Sequence, residues 1–276
     1  MDSQAQARRA VSVSEARALV MATLPGRRGV DAALTEAAGL LTVDSTLARE
    51  DMPRHDTAAM DGYAVRVTDL AEASGDRPAR LRITGALLAG DTAGMSLERG
   101  HTVRIMTGAR CPPGCEAVIP HEVAAVDGDT VSFAAPARLG ANLRRAGEDV
   151  RAGNLLIPAG APLHAARVAL LAAQGIDQIR VFARPRVAIV TTGDELVGGG
   201  ELRDGEIRDS NTSMLERLCL EIGAEIVETR RVGDSPDALD LALEEVLASR
   251  PDLIVTAGGA SSGDRDVVTG LRRGGR

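Results

Sequence analysis

The sequence has no lysine and no tryptophan, and only one tyrosine and two phenylalanines in 276 residues. Without lysine there is no Schiff-base catalysis, no lysine-anchored pyridoxal phosphate and no phosphate loop closed by a lysine. All 32 basic residues are Arg, and they are outnumbered by 39 acidic ones, giving a net charge of −7. That balance argues against a cationic nucleic-acid groove. With so few rings, the core must be built from Val, Leu, Ile and Ala. Long apolar runs are missing too. The longest lies around residues 165–173 and is too short to span a bilayer, so no membrane association is expected. The three cysteines are an odd number and no signal peptide opens the chain, which predicts free thiols in the cytoplasm. Cys111 and Cys115 flank Pro112-Pro113-Gly114, a turn with two thiols and no second pair to complete a zinc site. His121-Glu122 lacks the second His of a zincin motif.

What is present is ordinary in bulk: 44% apolar and 26% charged residues, as in globular domains. Ser12 and Glu15 have capping-box spacing, with Ala16, Leu19, Val20 and Thr23 on one face of the helix that follows. Pro25-Gly26 stops it. The pattern predicts a second short helix over 31–39 and an extended segment over 40–47. From 53 to 140, short extended runs alternate with Gly, Pro and Asp. Asp127-Gly128 between two such runs predicts a hairpin. This stretch reads as a β-rich domain inserted in an N-terminal helical and linker domain made of 12–52 with 141–182. A helix is expected over 165–174, stopped by Gly175.

After Arg184-Pro185 the texture becomes α/β. Val187-Ala188-Ile189-Val190 is continuously apolar, as in a strand buried on both faces. Helices are expected over 211–222 and 236–249, and strands over 224–229 and 253–255. Alternation of this kind predicts a doubly wound sheet over 183–276. The fold class is thus multidomain, α/β and β.

In such sheets ligands bind beyond the carboxyl ends of the strands. Two loops follow apolar runs there: Thr192-Gly193-Asp194-Glu195, and Gly258-Gly259-Ala260-Ser261-Ser262-Gly263-Asp264. Glycines in the second allow close backbone approach to a phosphate, with Ser hydroxyls and N–H groups as donors. The same loop also reads as a plain strand-to-helix turn with Asp264 as a cap. Glu195 and Asp266 near one sheet edge suit a hard cation such as Mg²⁺. Asp234 stands at another strand-to-helix junction, where it equally reads as a cap before Pro236. Asp61-Gly62 reads as a hairpin turn, and Tyr63 as the aromatic core residue of the β-rich domain.

Three further segments complete an ordered set: Met60-Asp61-Gly62-Tyr63-Ala64-Val65, Arg104-Ile105-Met106-Thr107-Gly108-Ala109 and Gly147-Glu148-Asp149-Val150. With Thr192-Gly193-Asp194-Glu195-Leu196, Ile207-Arg208-Asp209-Ser210-Asn211 and the 258–264 loop, they resemble the molybdopterin molybdenumtransferases (MoeA family), relatives of the gephyrin E domain. The resemblance covers nearly the whole chain from about residue 12. It implies a homodimer acting on adenylylated molybdopterin and molybdate with Mg²⁺, releasing AMP and forming molybdenum cofactor. It also implies contact with the molybdopterin adenylyltransferase. Carried over by motif, Asp61, Thr107, Glu195, Asp234 and Asp266 are the catalytic set. Glu195 and Asp266 hold the metal, while Gly193, Asp194, Asn211, Gly258, Gly259, Ser261 and Gly263 contact the pterin or its phosphate. Arg208 is the nearest candidate cation by motif, and it reads equally as one side of a surface salt bridge. The sequence ends at Arg276, before the family's Lys-Pro-Gly-Lys-Pro-like and Gly-Leu-Pro-Gly-Asn-Pro-like segments and its C-terminal β domain. The α/β domain is therefore expected to be incomplete. The alternative is a truncated, non-catalytic pterin-binding or dimerisation module.

Overall fold

The structure is a computed structural model and describes residues 11–91 and 94–259. The chain divides into two compact units, 1–31 with 181–276, and 32–180.

The 32–180 unit is built on a six-stranded sheet. From edge to edge its strands are Ala117–Pro120, Gly62–Val65, His101–Ile105, Ala79–Leu87, Thr130–Phe133 and Ala124–Asp127. Only Ala79–Leu87 and His101–Ile105 run parallel; the other neighbours are antiparallel. Strand residues point alternately to opposite faces, and both faces of this sheet are covered. Tyr63 and Val65 pack with Leu70, Val131 and Phe133 on one side. Ala64 packs with Leu87, Val103, Ile105 and Val118 on the other. Tyr63 meets Phe133 edge to face, with ring centroids 6.0 Å apart, so two of the three aromatic residues form one contact. The expected hairpin is present: Val126 pairs with Val131, and Gly128 takes φ +60° in the turn. Two short ladders, Thr57–Ala58 with Leu143–Arg144 and Thr46–Leu47 with Leu155–Ile157, join the start of this unit to its end. The helix Ala165–Ala173 follows, and Gly175 leaves it at φ +64°.

Two expectations fail in this unit. Residues 31–39 are not a helix. The chain finishes the strand Gly29–Ala33 and then turns, because Leu34 and Gly39 give their N–H groups to Asp177 and Leu163 instead of along the segment. Asp61-Gly62 is not a hairpin turn either. Gly62 opens a buried strand, and a Cβ on it would lie 2.1 Å from the Ile119 carbonyl oxygen.

In the other unit three parallel strands lie in the order Glu225–Val232, Arg186–Thr192, Leu253–Ala257. The central strand comes first in the chain, so the order is 2-1-3. Its alternate residues face opposite helices. Val187 and Ile189 pack with Leu215 and Cys219 of helix Ser210–Glu221. Ala188 and Val190 pack with Leu239 and Val246 of helix Pro236–Ala248. This is the doubly wound arrangement expected of a continuous apolar strand. The N-terminal helix Val13–Thr23 forms with the reciprocal Ser12–Glu15 capping box, yet buries none of its residues. No helix among the described residues is long and apolar enough to cross a membrane.

Candidate functional site

Each unit gathers part of the expected residue set. In the 32–180 unit, Asp61 precedes the strand Gly62–Val65 and Thr107 follows the strand His101–Ile105. These strands are neighbours with Gly62 opposite Ile105, so residues distant in sequence meet at one end of the sheet. Thr107 donates its backbone N–H (2.8 Å) and its hydroxyl (2.7 Å) to Asp61 Oδ1. Both residues are exposed. The N–H bond first and the hydroxyl bond second hold the Asp61 carboxyl below its ordinary value, with smaller help from His121 and Arg104. Asp61 is therefore an anchored carboxylate, and Thr107 its positioning residue. The Gly147-Glu148-Asp149 segment forms a second charged corner. Asp149 pairs with Arg144, Glu148 Oε2 accepts the Arg145 N–H at 2.8 Å, and Arg145 pairs with Asp56.

In the parallel-sheet unit, the loops leaving all three strands meet at their carboxyl ends. Gly193 gives its N–H to the Val232 oxygen at 3.0 Å. Asp194 Oδ1 accepts the Asp234 N–H at 3.0 Å, which joins the loop after the central strand to the loop after its neighbour. On the other side Gly258 lies so close that a Cβ would stand 2.3 Å from the Thr192 oxygen and 2.7 Å from its hydroxyl. Gly258 takes φ +95°, a conformation natural to glycine. The Thr192 hydroxyl is buried and has no hydrogen-bond partner among the described residues. Asp194 and Glu195 are exposed and Asp234 is half-buried. Ser235, not Asp234, occupies the cap position of the next helix. Asn211 lies exposed in the first turn of helix Ser210–Glu221. Gly259 follows Gly258 at φ +57°. Ser261, Gly263 and Asp266 lie outside the described residues.

The residue that sequence reasoning missed is Asp209. It was quoted within a motif and given no part. Its carboxylate is buried and accepts four hydrogen bonds: Thr212 Oγ1 (2.5 Å), Thr212 N–H (2.9 Å), Arg231 Nε (2.9 Å) and Thr191 Oγ1 (3.0 Å). Burial pushes the carboxyl up, and these bonds, led by Thr212, outweigh it and hold the pKa at about 2. Asp209 thereby caps helix Ser210–Glu221 and ties it to the ends of two strands. Arg231 supplies the cation; Arg208 is exposed in the short strand Ile207–Arg208. The Asp-x-x-Thr spacing was the available signal for the cap.

Residues 11–175 match the family described as MoeA N-terminal region (domain I and II). Over 260 residues the chain is 36% identical to molybdopterin molybdenumtransferase 2 of Mycobacterium tuberculosis, covering 93% of this chain and 64% of that protein. The chain belongs to the MoeA family. A second match, over residues 188–271, is described as a probable molybdopterin binding domain. The molybdopterin molybdenumtransferase of Nostoc is 37% identical over 227 residues, covering 82% of this chain and 51% of that one. The crystal structure of a MoeA protein from Pyrococcus horikoshii superposes with a TM-score of 0.82 at 29% identity, over 91% of this chain and 67% of that one. Thus the chain spans between half and two thirds of the length of these curated MoeA relatives.

Among the described residues these loops carry the carboxylates of Asp194, Glu195 and Asp234, oxygen donors that suit a hard cation. Among the described residues no three His, Cys, Asp or Glu form a metal-holding group. Mg²⁺ does not require one, because it is commonly held by one or two carboxylates with substrate phosphates and water.

Proposed function

We propose that this chain acts in molybdenum cofactor synthesis as a molybdopterin molybdenumtransferase. It takes adenylylated molybdopterin and molybdate, cleaves the adenylyl link with water, and releases AMP as the metal enters the dithiolene. Membership of the MoeA family and the matched molybdopterin-binding region support this reading. The observation that carries it is the meeting of Thr192, Gly258, Asp194 and Asp234 at the carboxyl ends of a 2-1-3 sheet, where such folds bind ligands.

The roles follow from charge and geometry. Gly258 and Gly259 offer close backbone approach to the phosphate, and the Thr192 hydroxyl beside Gly258, unpartnered among the described residues, is a further donor there. Glu195 and Asp266 hold Mg²⁺, which when bound polarises the phosphoryl oxygens. Asp234 orients the attacking water, its own backbone fixed by Asp194. Asp61, held by Thr107, serves the site of a second copy in a homodimer. The molybdopterin adenylyltransferase, as source of the substrate, is a further partner. The segment 53–140 is an inserted β-rich domain, a reading supported by the two short ladders at its borders.

Equilibrium binding of adenylylated molybdopterin to the chain and to Gly258→Ala tests the placement. The account expects binding weakened about tenfold or more in protein shown to be folded, since an added Cβ would clash with the Thr192 backbone oxygen at 2.3 Å and force this loop to shift. Equal affinity would remove the phosphate from this loop.

A further inference from the structure

Cys111 and Cys115 stand on either side of Pro112-Pro113-Gly114, between the strands His101–Ile105 and Ala117–Pro120. The Cys115 N–H bonds the Pro112 oxygen at 3.0 Å, so the chain folds back over these residues. Gly114 takes φ +89°, and a Cβ there would stand 2.9 Å from the Leu97 oxygen, so this position of the turn requires glycine. The Cys111 N–H is held by the Asp56 oxygen at 2.9 Å. Both side chains are half-buried against the same apolar cluster, beside Met95 and Leu143. The Cys115 thiol donates to the Ala117 oxygen at 3.5 Å, and the two thiols stand near enough across the turn to interact electrostatically. No third His, Cys, Asp or Glu joins them in a metal-holding group among the described residues. Cys219, the third thiol, is buried in the core of the other unit.

We propose that Cys111 and Cys115 are a redox-active dithiol, which a low-molecular-weight disulfide oxidises to an intramolecular disulfide across the Pro112-Pro113-Gly114 turn. The two sulfurs are unequal. The neighbouring Cys115 thiol draws the Cys111 thiol below its ordinary value, against burial and the Asp56 charge. The neighbouring Cys111 sulfur, with burial, pushes the Cys115 thiol up. Cys111 therefore attacks first. Its thiolate bonds one sulfur of the small disulfide, that S–S bond breaks, and one small thiolate leaves. Cys115 then releases its proton to solvent and bonds the Cys111 sulfur, and the second small thiolate leaves. The protein pair gives up two electrons and two protons, and the small disulfide is reduced to two thiols. The new bridge fixes the loop beside a backbone pairing that leads to the Asp61–Thr107 pair, in which the Ala58 N–H donates to the Ala109 oxygen at 3.0 Å.

The test is incubation of the full chain in buffers of graded glutathione and glutathione disulfide, followed by alkylation and peptide mass spectrometry. The thiol titre is expected to fall from three to one. The peptide bearing Cys111 and Cys115 is expected to lose two hydrogen atoms, carry no glutathione, and recover on reduction. Cys115→Ser is expected to stop with glutathione on Cys111, and Cys111→Ser to leave Cys115 free. Three titrating thiols at every ratio would overturn the proposal, and so would glutathione persisting on the wild-type chain. Equal glutathionylation of the two variants would overturn the order of attack. The wild-type titration decides the main point whether or not a variant folds.

Discussion

Thr107 directs both of its donors, a backbone N–H at 2.8 Å and a hydroxyl at 2.7 Å, to one oxygen of Asp61. The carboxylate is exposed at this end of the sheet. Thr107→Val keeps the N–H bond and removes the hydroxyl. The Asp61 carboxyl is then expected to titrate closer to 3.8, its ordinary value. AMP release is expected to fall by about 10²-fold, the usual scale for losing one positioned donor. Thr107→Ser is expected to restore both. Because the residues are exposed, the melting temperature is expected to stay put. A carboxyl titration by NMR beside an activity assay checks each part.

Asp209 predicts a pH signature. Its pKa is lowered from 3.8 to about 2 on folding, so its contribution is fully present above about pH 4 and is lost as pH falls through about 2. The shift corresponds to about 2 kcal/mol. Asp209→Asn is expected to destabilise the chain by about 2 to 3 kcal/mol at pH 7, since Arg231 loses its partner while keeping some solvent. The gap between mutant and wild type is expected to narrow as the pH drops from 4 toward 2. Urea titrations across that range measure it.

Gly62→Ala tests why this strand begins with glycine. The new methyl carbon would stand 2.1 Å from a backbone oxygen of the adjacent strand, which cannot move aside as a flexible side chain could. We expect a loss of about 3 kcal/mol or more, or failure to fold. Gly128→Ala, where nothing lies within 4 Å, is the control and is expected to lose only the cost of its positive φ. Thermal unfolding separates the two.

Much of this fold was legible because it rests on local patterns. The apolar run 187–190 placed the central strand, whose alternate residues face two helices. Helix ends followed Gly175 and Gly223. Failures came where distant partners overruled a local signal. Residues 31–39 resemble a helix until their N–H groups are claimed by Asp177 and Leu163. Asp61-Gly62 resembles a turn until the strand around Ile119 packs against Gly62. The motifs pointed to Asp61 and Thr107 together, but the two residues lie 46 positions apart and meet only because their strands pair. Asp209 stayed hidden for the same reason. Its helix cap is local, while Thr191 and Arg231 reach it only once the parallel sheet has formed.

Mg²⁺ removal bears on the donor set at the carboxyl-end loops. Chelation is expected to abolish AMP release and leave the melting temperature unchanged, because the proposal has the ion held jointly with substrate, and no closed protein cage for it stands among the described residues. A fall in melting temperature on chelation, followed by differential scanning fluorimetry, would point instead to a structural metal.

The central claim is adenylyl cleavage coupled to molybdate, and AMP release tests it most directly. Purified chain, shown to be folded, is mixed with adenylylated molybdopterin and Mg²⁺, with and without molybdate, and AMP is counted by chromatography. The account predicts molybdate-dependent AMP at no less than one equivalent per chain, lost in Asp234→Ala. Tight pterin binding with no AMP under any condition would contradict it and leave a pterin-binding module in place of the enzyme.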